Sequence, residues 1–420
     1  MVSTPADRRS PRAWMRIAFA MFAVGWGANQ FSPMLIVYRH ELSLTAGEVA
    51  GLFLVYALTL IPGLLIGGPA SDRLGRRAVV WPFVALSPLA TLLLVLGPRS
   101  LAMIAVGRAL AGLCSGVVFG AATAWVQEVS PDEGLSVRRS ALALTAGFGL
   151  GPVVAAGFAQ WASDPLVVPY LPHLVIGTAA AVVLAGTPEG AASRLSARVR
   201  PMATARRWPP AAVRTRQFWL AVAPGSPLVF GSVALAIVVL PEEVTSARTL
   251  SAGFAGVMTV ISFAAGVVVQ SFARRLRDML AGVVAGLVCA AAGCAVGIAA
   301  VASADRVLAG VAAVFLGLAY GLCLVSGLRQ AEHMASPDER GAVIACYYAV
   351  AYLGFAVPYL AAGLGALAGK TGAFVALTAI IAALALWTAG YAASLRRSSG
   401  RPEGDAIVRW SRRNRDSVSR

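Results

Sequence analysis

The sequence predicts an all-α membrane protein with twelve transmembrane helices in two pseudo-symmetric six-helix bundles. Of its 420 residues, 58% are hydrophobic and only 13% are charged, with a mean hydropathy of +0.75. Soluble domains carry about 25% charged residues. A spanning helix uses about 20 apolar residues, so the composition supplies roughly twelve spans. Soluble enzymes, disordered chains and secreted disulfide scaffolds are thereby excluded.

Continuous apolar runs locate the twelve helices along the chain. In order they cover residues 13–38, 47–68, 78–97, 101–126, 141–161, 165–186, 217–240, 249–271, 279–299, 305–328, 340–364 and 371–394. Charged or turn-forming clusters separate each run from the next, and this spacing is typical of helices that cross a bilayer in alternating directions.

An internal repeat divides the chain into two halves. The segment 68–77 reads GPASDRLGRR and 266–275 reads GVVVQSFARR, and 108–112 matches 306–310 at the same offset of 198 residues. Repeats of this kind are used by transporters. The predicted organisation is a cytoplasmic N-terminal segment (1–12), a six-helix bundle (13–188), a basic cytoplasmic linker (189–216), a second six-helix bundle (217–394) and a basic cytoplasmic tail (395–420).

The basic residues predict the orientation. If the N-terminus is cytoplasmic, 29 of the 35 lysines and arginines lie on the cytoplasmic side and five lie outside. By the positive-inside rule, both termini are then cytoplasmic in a multi-pass protein of the cell inner membrane. Topology and attraction to anionic lipids also explain the net charge of +16, so membrane lipids and not nucleic acids are the expected partners.

A charged motif lies between the second and third spans. It consists of Gly68, Asp72, Arg73, Gly75, Arg76 and Arg77. Asp72 can pair with arginines and with a neighbouring helix N-terminus as a latch at the cytoplasmic face, while the two glycines permit close approach and a tight turn. The pattern resembles the signature of the major facilitator superfamily, and the twelve-span layout extends this resemblance over nearly the whole chain. A simple topogenic turn is the alternative.

Two further motifs resemble the drug–proton antiporter branch of that family. Arg108, a cation within a span, heads a stripe of glycines in the fourth helix; the resemblance implies a role in proton transfer or substrate charge, and snorkelling to the outer interface is the alternative. In the fifth helix Gly147, Gly151 and Pro152 match the antiporter motif, although Ala155 and Ala156 replace its last glycines. The Gly-Pro pair predicts a helix that bends, although both residues are common in membrane helices.

Polar and aromatic residues at mid-span are candidates for the substrate path. They are Asn29, Gln30, Tyr320, Tyr347, Tyr348 and Tyr352. The resemblance implies that the first, fourth, seventh and tenth helices line this path. Hydrogen bonds between helices are the alternative role for such side chains.

The sequence favours no cofactor, no metal and no enzymatic activity. The five cysteines form no CxxC pair, the three histidines are scattered, and no phosphate-binding Gly-Lys-Ser/Thr loop occurs. No Asp or Glu lies deep in a predicted span, although many proton-coupled exporters carry one.

These observations and the resemblance predict a monomeric secondary transporter. It would export a small organic compound by alternating access, in exchange for protons. Two alternatives stay open: proton-coupled or facilitated uptake of a metabolite such as a sugar or organic acid, and a membrane sensor or scaffold that transports nothing.

Overall fold

The computed structural model is helical throughout the part of the chain that it describes, residues 13–130, 133–187, 209–244, 252–336 and 339–399. These residues contain no β-strand, and the predicted all-α class is confirmed. The N-terminal segment 1–12, residues 188–208 of the linker region and residues 400–420 of the tail lie outside the described residues.

The N-terminal bundle contains seven helices that correspond to the first six predicted spans. They are α1 (Ala13–Asn29), α2 (Phe31–Glu41), α3 (Ala46–Leu74), α4 (Arg76–Leu96), α5 (Leu101–Val129), α6 (Glu133–Trp161) and α7 (Leu171–Ala185). Helices α1 and α2 together form the first span, which is interrupted at Gln30.

The C-terminal bundle begins with an irregular helix. It contains α8 (Phe218–Val244), α9 (Ala252–Ala273), α10 (Met279–Ser303), α11 (Arg306–Met334), α12 (Arg340–Tyr352) and α13 (Val357–Ser399). Two π-helical turns, Phe218–Val222 and Leu235–Val239, lie within α8. A 3₁₀ turn, Leu353–Ala356, separates α12 from α13.

Ten helical stretches of the described chain are long and apolar enough to cross a membrane. The first predicted span falls short because its two pieces have only 17 and 11 residues. The last two predicted spans form one stretch of 56 residues, 342–397. Gly369, with φ 75°, interrupts the helical backbone between them. These two breaks account for the difference between ten and twelve.

Glycines allow pairs of helices to pack closely in both bundles. A Cβ on Gly112 or Gly116 of α5 would collide with carbonyl oxygens of α3, and one on Gly317 or Gly321 of α11 would collide with carbonyl oxygens of α9. Small residues of this kind let membrane helices approach closely. The glycines that make these contacts are 205 residues apart, not 198. The packing repeat is therefore displaced by seven residues, or about two helical turns, from the sequence repeat.

The helices end at two faces of the molecule. We call the end that carries the α3–α4 loop at Gly75 and the α9–α10 loop at 274–278 the basic face, and the end that carries the α2–α3 loop at 42–45 and the break at Gly369 the opposite face. The bundles pack directly on one another through α6 and α9, where Gly256 faces Ala156. Helix α3 also contacts α12 and α13.

Candidate functional site

A cavity of about 400 Å³ lies between the two bundles. The lining residues come from both halves of the chain: Asn29, Phe53, Tyr56, Phe148, Phe230, Val233, Ala234, Ile237, Phe263, Tyr320, Tyr352 and Phe355. Eight of the twelve are aromatic and none is charged. The surface of the cavity is therefore mainly aromatic and offers only a few hydrogen-bonding groups.

The polar groups of the lining are one amide and three phenols. Asn29 is held in place because its Nδ2 donates to the carbonyl oxygen of Phe148 at 3.3 Å. Tyr320 packs edge-to-face on Phe263, with ring centroids 5.6 Å apart, and Tyr352 stacks on Phe230 at 4.3 Å. The rings of Tyr320 and Tyr352 thus pack against other aromatic side chains of the lining, which has few hydroxyl groups.

Four of the seven predicted path residues lie outside this lining. Gln30 is fully buried and donates from Nε2 to Thr91 Oγ1 at 3.2 Å, and Thr91 Oγ1 is 2.7 Å from Nδ1 of the buried His173. Tyr347 donates from its hydroxyl to the carbonyl oxygen of Cys323 at 2.9 Å. Tyr348 packs between Tyr347 and Tyr352. Gln30 and Tyr347 thus make the interhelical hydrogen bonds that were the alternative for such side chains.

Arg108 is the fourth of these residues, and its side chain is only 1% exposed. Its guanidinium lies over the rings of Phe31 and Tyr56, at 4.2 and 4.5 Å from their centroids. Nε donates to the carbonyl oxygen of Leu52 at 3.4 Å and Nη1 to that of Ala28 at 3.2 Å, while Nη2 has no partner. Snorkelling to an interface is therefore wrong. Arg108 is separated from the cavity by Tyr56.

The implied lining by the first, fourth, seventh and tenth helices needs a correction. The first, seventh and tenth spans contribute, but the fourth span, α5, supplies none of the lining residues. Its glycine stripe packs on α3 instead, and α3 supplies Phe53 and Tyr56. The second, fifth, eighth and eleventh spans also contribute.

The predicted charge motif lies at the basic face. Arg76 pairs with Asp72 Oδ1 at 2.6 Å and with Glu128 Oε1 at 2.9 Å, so it ties α3 and α4 to the end of α5. Gly75 has φ 102°, a conformation that favours glycine, and forms the tight turn. At Gly68 a Cβ would meet nothing within 4 Å. The expected close approach at Gly68 is therefore wrong, and Gly67, against Val117, makes it instead.

Two glycines of the fifth-helix motif pack on α1. A Cβ on Gly147 would collide with the carbonyl oxygen of Phe22, and one on Gly151 would lie 2.7 Å from that of Trp26. Pro152 lies inside α6, which is a continuous helix from Glu133 to Trp161. The motif therefore determines how closely the first and fifth spans approach.

A second, smaller cleft of about 290 Å³ lies towards the opposite face. It is lined by Ala46, Val49, Ala50, Val238, Val239, Glu242, Glu243, Pro358 and Ala362. Glu242 pairs with Arg39 of the N-terminal bundle, and Glu243 pairs with Lys370 at 2.9 Å. The described residues contain no group of three His, Cys, Asp or Glu side chains that could hold a metal ion.

Six aromatic residues of the lining are not among the residues predicted from the sequence. They are Phe53, Tyr56, Phe148, Phe230, Phe263 and Phe355. Their one shared signal is an aromatic side chain near mid-span. Many aromatic residues that face lipid have the same signal, so position alone could not separate them.

The sequence model of the Major Facilitator Superfamily matches residues 17–231, slightly more than half of the chain. The chain belongs to the Major Facilitator Superfamily. The matched region contains the charge motif at Asp72, Arg108 and the glycines of α6. As a member of this family it is a transporter and not an enzyme.

Curated relatives within the superfamily are distant. The quinolone resistance protein NorA of Staphylococcus aureus (strain MRSA252) is 24% identical over 144 residues, which cover 34% of this chain and 37% of NorA. The facilitated trehalose transporter Tret1 of Apis mellifera ligustica is 29% identical over 109 residues, which cover 25% of this chain and 22% of Tret1. The chain thus matches well under half the length of either relative.

Solved transporter structures can be superposed on nearly the whole of this chain. A mutant of the peptide transporter POT has a TM-score of 0.76 at 14% identity and covers 92% of this chain and 95% of its own. The nucleoside transporter NupG has a TM-score of 0.68 at 11% identity, covering 91% of this chain and 99% of its own. At these identities the likeness shows the fold alone.

Proposed function

We propose that this chain exports a small, apolar, aromatic organic compound across the cell inner membrane in exchange for protons. It would act as a monomer by alternating access, with both termini in the cytoplasm. The observation that carries the proposal is the central cavity, which both bundles build and in which aromatic side chains dominate. Aromatic rings bind flat apolar ligands through buried area and stacking.

The chemistry of the lining narrows the substrate class. Because no lining residue is charged, a phosphate or any other ligand with a net charge would be buried there without a counter-ion, at a high cost in free energy. A sugar would also be a poor ligand, since its many hydroxyls would meet one amide and three phenols. The cavity therefore favours a compound with extensive apolar surface and few polar groups.

Export is supported by the match to NorA, which is a quinolone resistance protein, and by the antiporter-like glycines of α6. Proton coupling is supported by the resemblance to drug–proton antiporters. Arg108 would act there through charge: it lies behind Tyr56 and its positive charge reaches the cavity only across that ring. It is therefore a positioning residue and does not touch the substrate.

Three predicted path residues would contact the substrate in this proposal. Asn29, Tyr320 and Tyr352 all line the cavity. Asn29 already uses its Nδ2 on Phe148, so its carbonyl oxygen is the group that can accept a hydrogen bond from a ligand.

A second candidate function is facilitated uptake of a metabolite. The match to the facilitated trehalose transporter Tret1 favours it. It differs from the first in direction, in its independence of a proton gradient and in the polarity of its substrate.

Flux measurements in everted membrane vesicles would separate the two. We expect vesicles that contain the protein to accumulate a quinolone probe when their interior is acidified, and to release it when a protonophore collapses the gradient. Radiolabelled trehalose should not equilibrate faster than in vesicles without the protein. Equilibration of trehalose, with no gradient-driven accumulation of the quinolone, would instead establish the second function.

A pair of conservative variants would assign the flux to the cavity. Tyr320→Phe removes the hydroxyl of a residue that lines the cavity, whereas Tyr347→Phe removes a buried hydroxyl that bonds the backbone of Cys323. We expect Tyr320→Phe to reduce quinolone flux, by up to about tenfold if a hydrogen bond of about 1.4 kcal/mol to the ligand is lost. Tyr347→Phe should leave flux per folded molecule unchanged. The reverse order would place the substrate elsewhere.

A further inference from the structure

Phe355 lies between the two bundles and contacts aromatic rings of both. It lies in the 3₁₀ turn Leu353–Ala356 that interrupts the eleventh span. The turn is pressed against α8, because a Cβ on Gly354 would collide with the carbonyl oxygen of Pro227. The next side chain, that of Phe355, crosses to the N-terminal bundle, where its ring lies edge-on to Phe53 with centroids 4.7 Å apart.

Phe355 contacts aromatic rings of both bundles at once. On the N-terminal side it meets Phe53 and Tyr56, the latter at 5.8 Å. On its own side it stacks with Phe230 at 5.2 Å and Tyr352 at 5.8 Å. Any movement that separates α3 from α8 must therefore break the contacts of Phe355 with one set of rings.

The same layer lies between the central cavity and the second cleft. Along α3 the residues that line the cleft, 46–50, precede Phe53 and Tyr56, which line the cavity. Along α8 residues 230–237 line the cavity and 238–243 line the cleft. Beyond Phe355, which lines the cavity, residues 358 and 362 line the cleft. The order of the two linings places the Phe53–Phe355 contact at their border on two of these helices.

We propose that the ring of Phe355 closes the central cavity towards the opposite face, and we call this closure the septum. The second cleft would then be the vestibule, through which a ligand passes between the septum and the opposite face. Substrate would pass when the ring of Phe355 leaves Phe53 and Tyr56 while the 3₁₀ turn stays clamped to α8. This inference rests on the proposed alternating access, although closure by Phe355 can be measured without any flux. Because Tyr56 also lies under the guanidinium of Arg108, the septum is anchored on the N-terminal side by that buried cation.

Thiol accessibility tests the septum directly. Val233, which lines the cavity and is 5% exposed, is replaced by cysteine in the full chain after the five native cysteines are changed to alanine. Intact cells and everted vesicles are each treated with a membrane-impermeant maleimide. We expect Phe355→Ala to accelerate labelling of Val233→Cys about five- to tenfold. The loss of one aromatic pair changes the equilibrium between closed and open states by up to about tenfold.

Phe263→Ala is the matched control. It removes an aromatic side chain of the same size from the cavity, but the ring contact of Phe263 is with Tyr320 of its own bundle. Labelling should then change by less than about twofold, since no aromatic ring contact between the bundles is lost. Phe355→Leu, which keeps most of the volume, should give a smaller acceleration than Phe355→Ala and covers the case in which the alanine variant fails to fold.

The outcomes are distinct. Acceleration by Phe355→Ala in one of the two preparations supports the septum and also reports which side the opposite face occupies. No acceleration in either preparation, or equal acceleration by Phe263→Ala, would overturn the septum. A protein that shows the expected labelling pattern but no quinolone flux would retain the septum and lose the proposed function.

Discussion

Arg39 and Glu242 form an ion pair that joins the two bundles at the opposite face. Arg39 lies near the end of α2 and Glu242 near the end of α8, beside the second cleft. Their side chains are 34% and 12% exposed, respectively. Pairs at such exposure contribute only about 0.2–1 kcal/mol, so this pair biases the closed state of that face without locking it.

Removal of the Arg39–Glu242 pair should open the cleft modestly. We expect Glu242→Gln to increase labelling of an Ala50→Cys variant by about two- to fivefold, the effect of losing up to about 1 kcal/mol. The double charge reversal Arg39→Glu with Glu242→Arg should restore the original rate. Lys370→Gln is the control, because Lys370 pairs with Glu243 of its own bundle. If Lys370→Gln accelerated labelling as much as Glu242→Gln, the pair would have no special role between the bundles.

Because Arg108 has no carboxylate partner among the described residues, we expect Arg108→Met to be more stable than Arg108→Lys. No acidic side chain among the described residues pairs with it, and its Nη2 is unpartnered. Arg108→Met leaves no opposite charge behind, so the free energy of unfolding should change by about 2 kcal/mol or less. Arg108→Lys keeps a buried charge but loses the planar contact with Phe31 and Tyr56. It should be the less stable variant.

Thermal unfolding of the purified variants in detergent gives this order, and quinolone flux in vesicles gives the functional effect. If the charge of Arg108 supports transport, Arg108→Met should reduce flux per folded molecule. A methionine variant that unfolds earlier than the lysine variant would instead show that the guanidinium is mainly structural.

The sequence predicted the membrane-spanning segments well because lipid imposes long apolar runs on any helix that crosses it. It could not predict the cavity, because the rotation of each helix about its axis depends on packing partners. The break in the eleventh span shows the limit. Pro358 signals a break near Leu353–Ala356, because it cannot donate a backbone hydrogen bond. The contact of Phe355 with the other bundle has no such signal, since it depends on the packing of Gly354 against α8.

Arg108 shows the same limit for a single residue. Its burial depends on Phe31 and Tyr56, which are contributed by α2 and α3. From the position of Arg108 within its own span, its side chain could either be buried among the helices or extend to the interface. Only the fold brings the three side chains together, so the distinction between the two interpretations required the tertiary structure.

The glycine contacts between α3 and α5 should tolerate no side chain. Gly116→Ala would place a Cβ against the carbonyl oxygen of Leu60, whereas Gly149→Ala would meet nothing within 4 Å. We expect Gly116→Ala to lower the free energy of unfolding by about 1–3 kcal/mol, as overpacked interiors do. Gly149→Ala should be neutral or slightly stabilising, since it restricts the unfolded chain. Thermal unfolding of both purified variants makes the comparison, and equal stability would contradict the close contact.

Asp72 at the basic face should affect transport more than folding. In the structure Arg76 holds both Asp72 and Glu128, and Asp72 is the more exposed partner, at 52% against 17%. In Asp72→Asn the bond from Arg76 to Glu128 stays, so membrane abundance should be nearly unchanged. Flux should fall by about five- to tenfold if Asp72 biases the gate by a coupling free energy of 1–1.4 kcal/mol.

Glu128→Gln is the matched comparison for Asp72→Asn. It weakens the tie between α4 and α5 at a more buried site, and the loss of a charge there leaves Arg76 with Asp72 as its one paired carboxylate, beside the hydroxyl of Ser71. Because broken buried pairs destabilise strongly, Glu128→Gln should reduce membrane abundance and flux together. Abundance on immunoblots and quinolone flux in the same vesicles distinguish the two residues. If Asp72→Asn also lowered both in proportion, Asp72 would serve folding alone and the gate would have to lie elsewhere on the basic face.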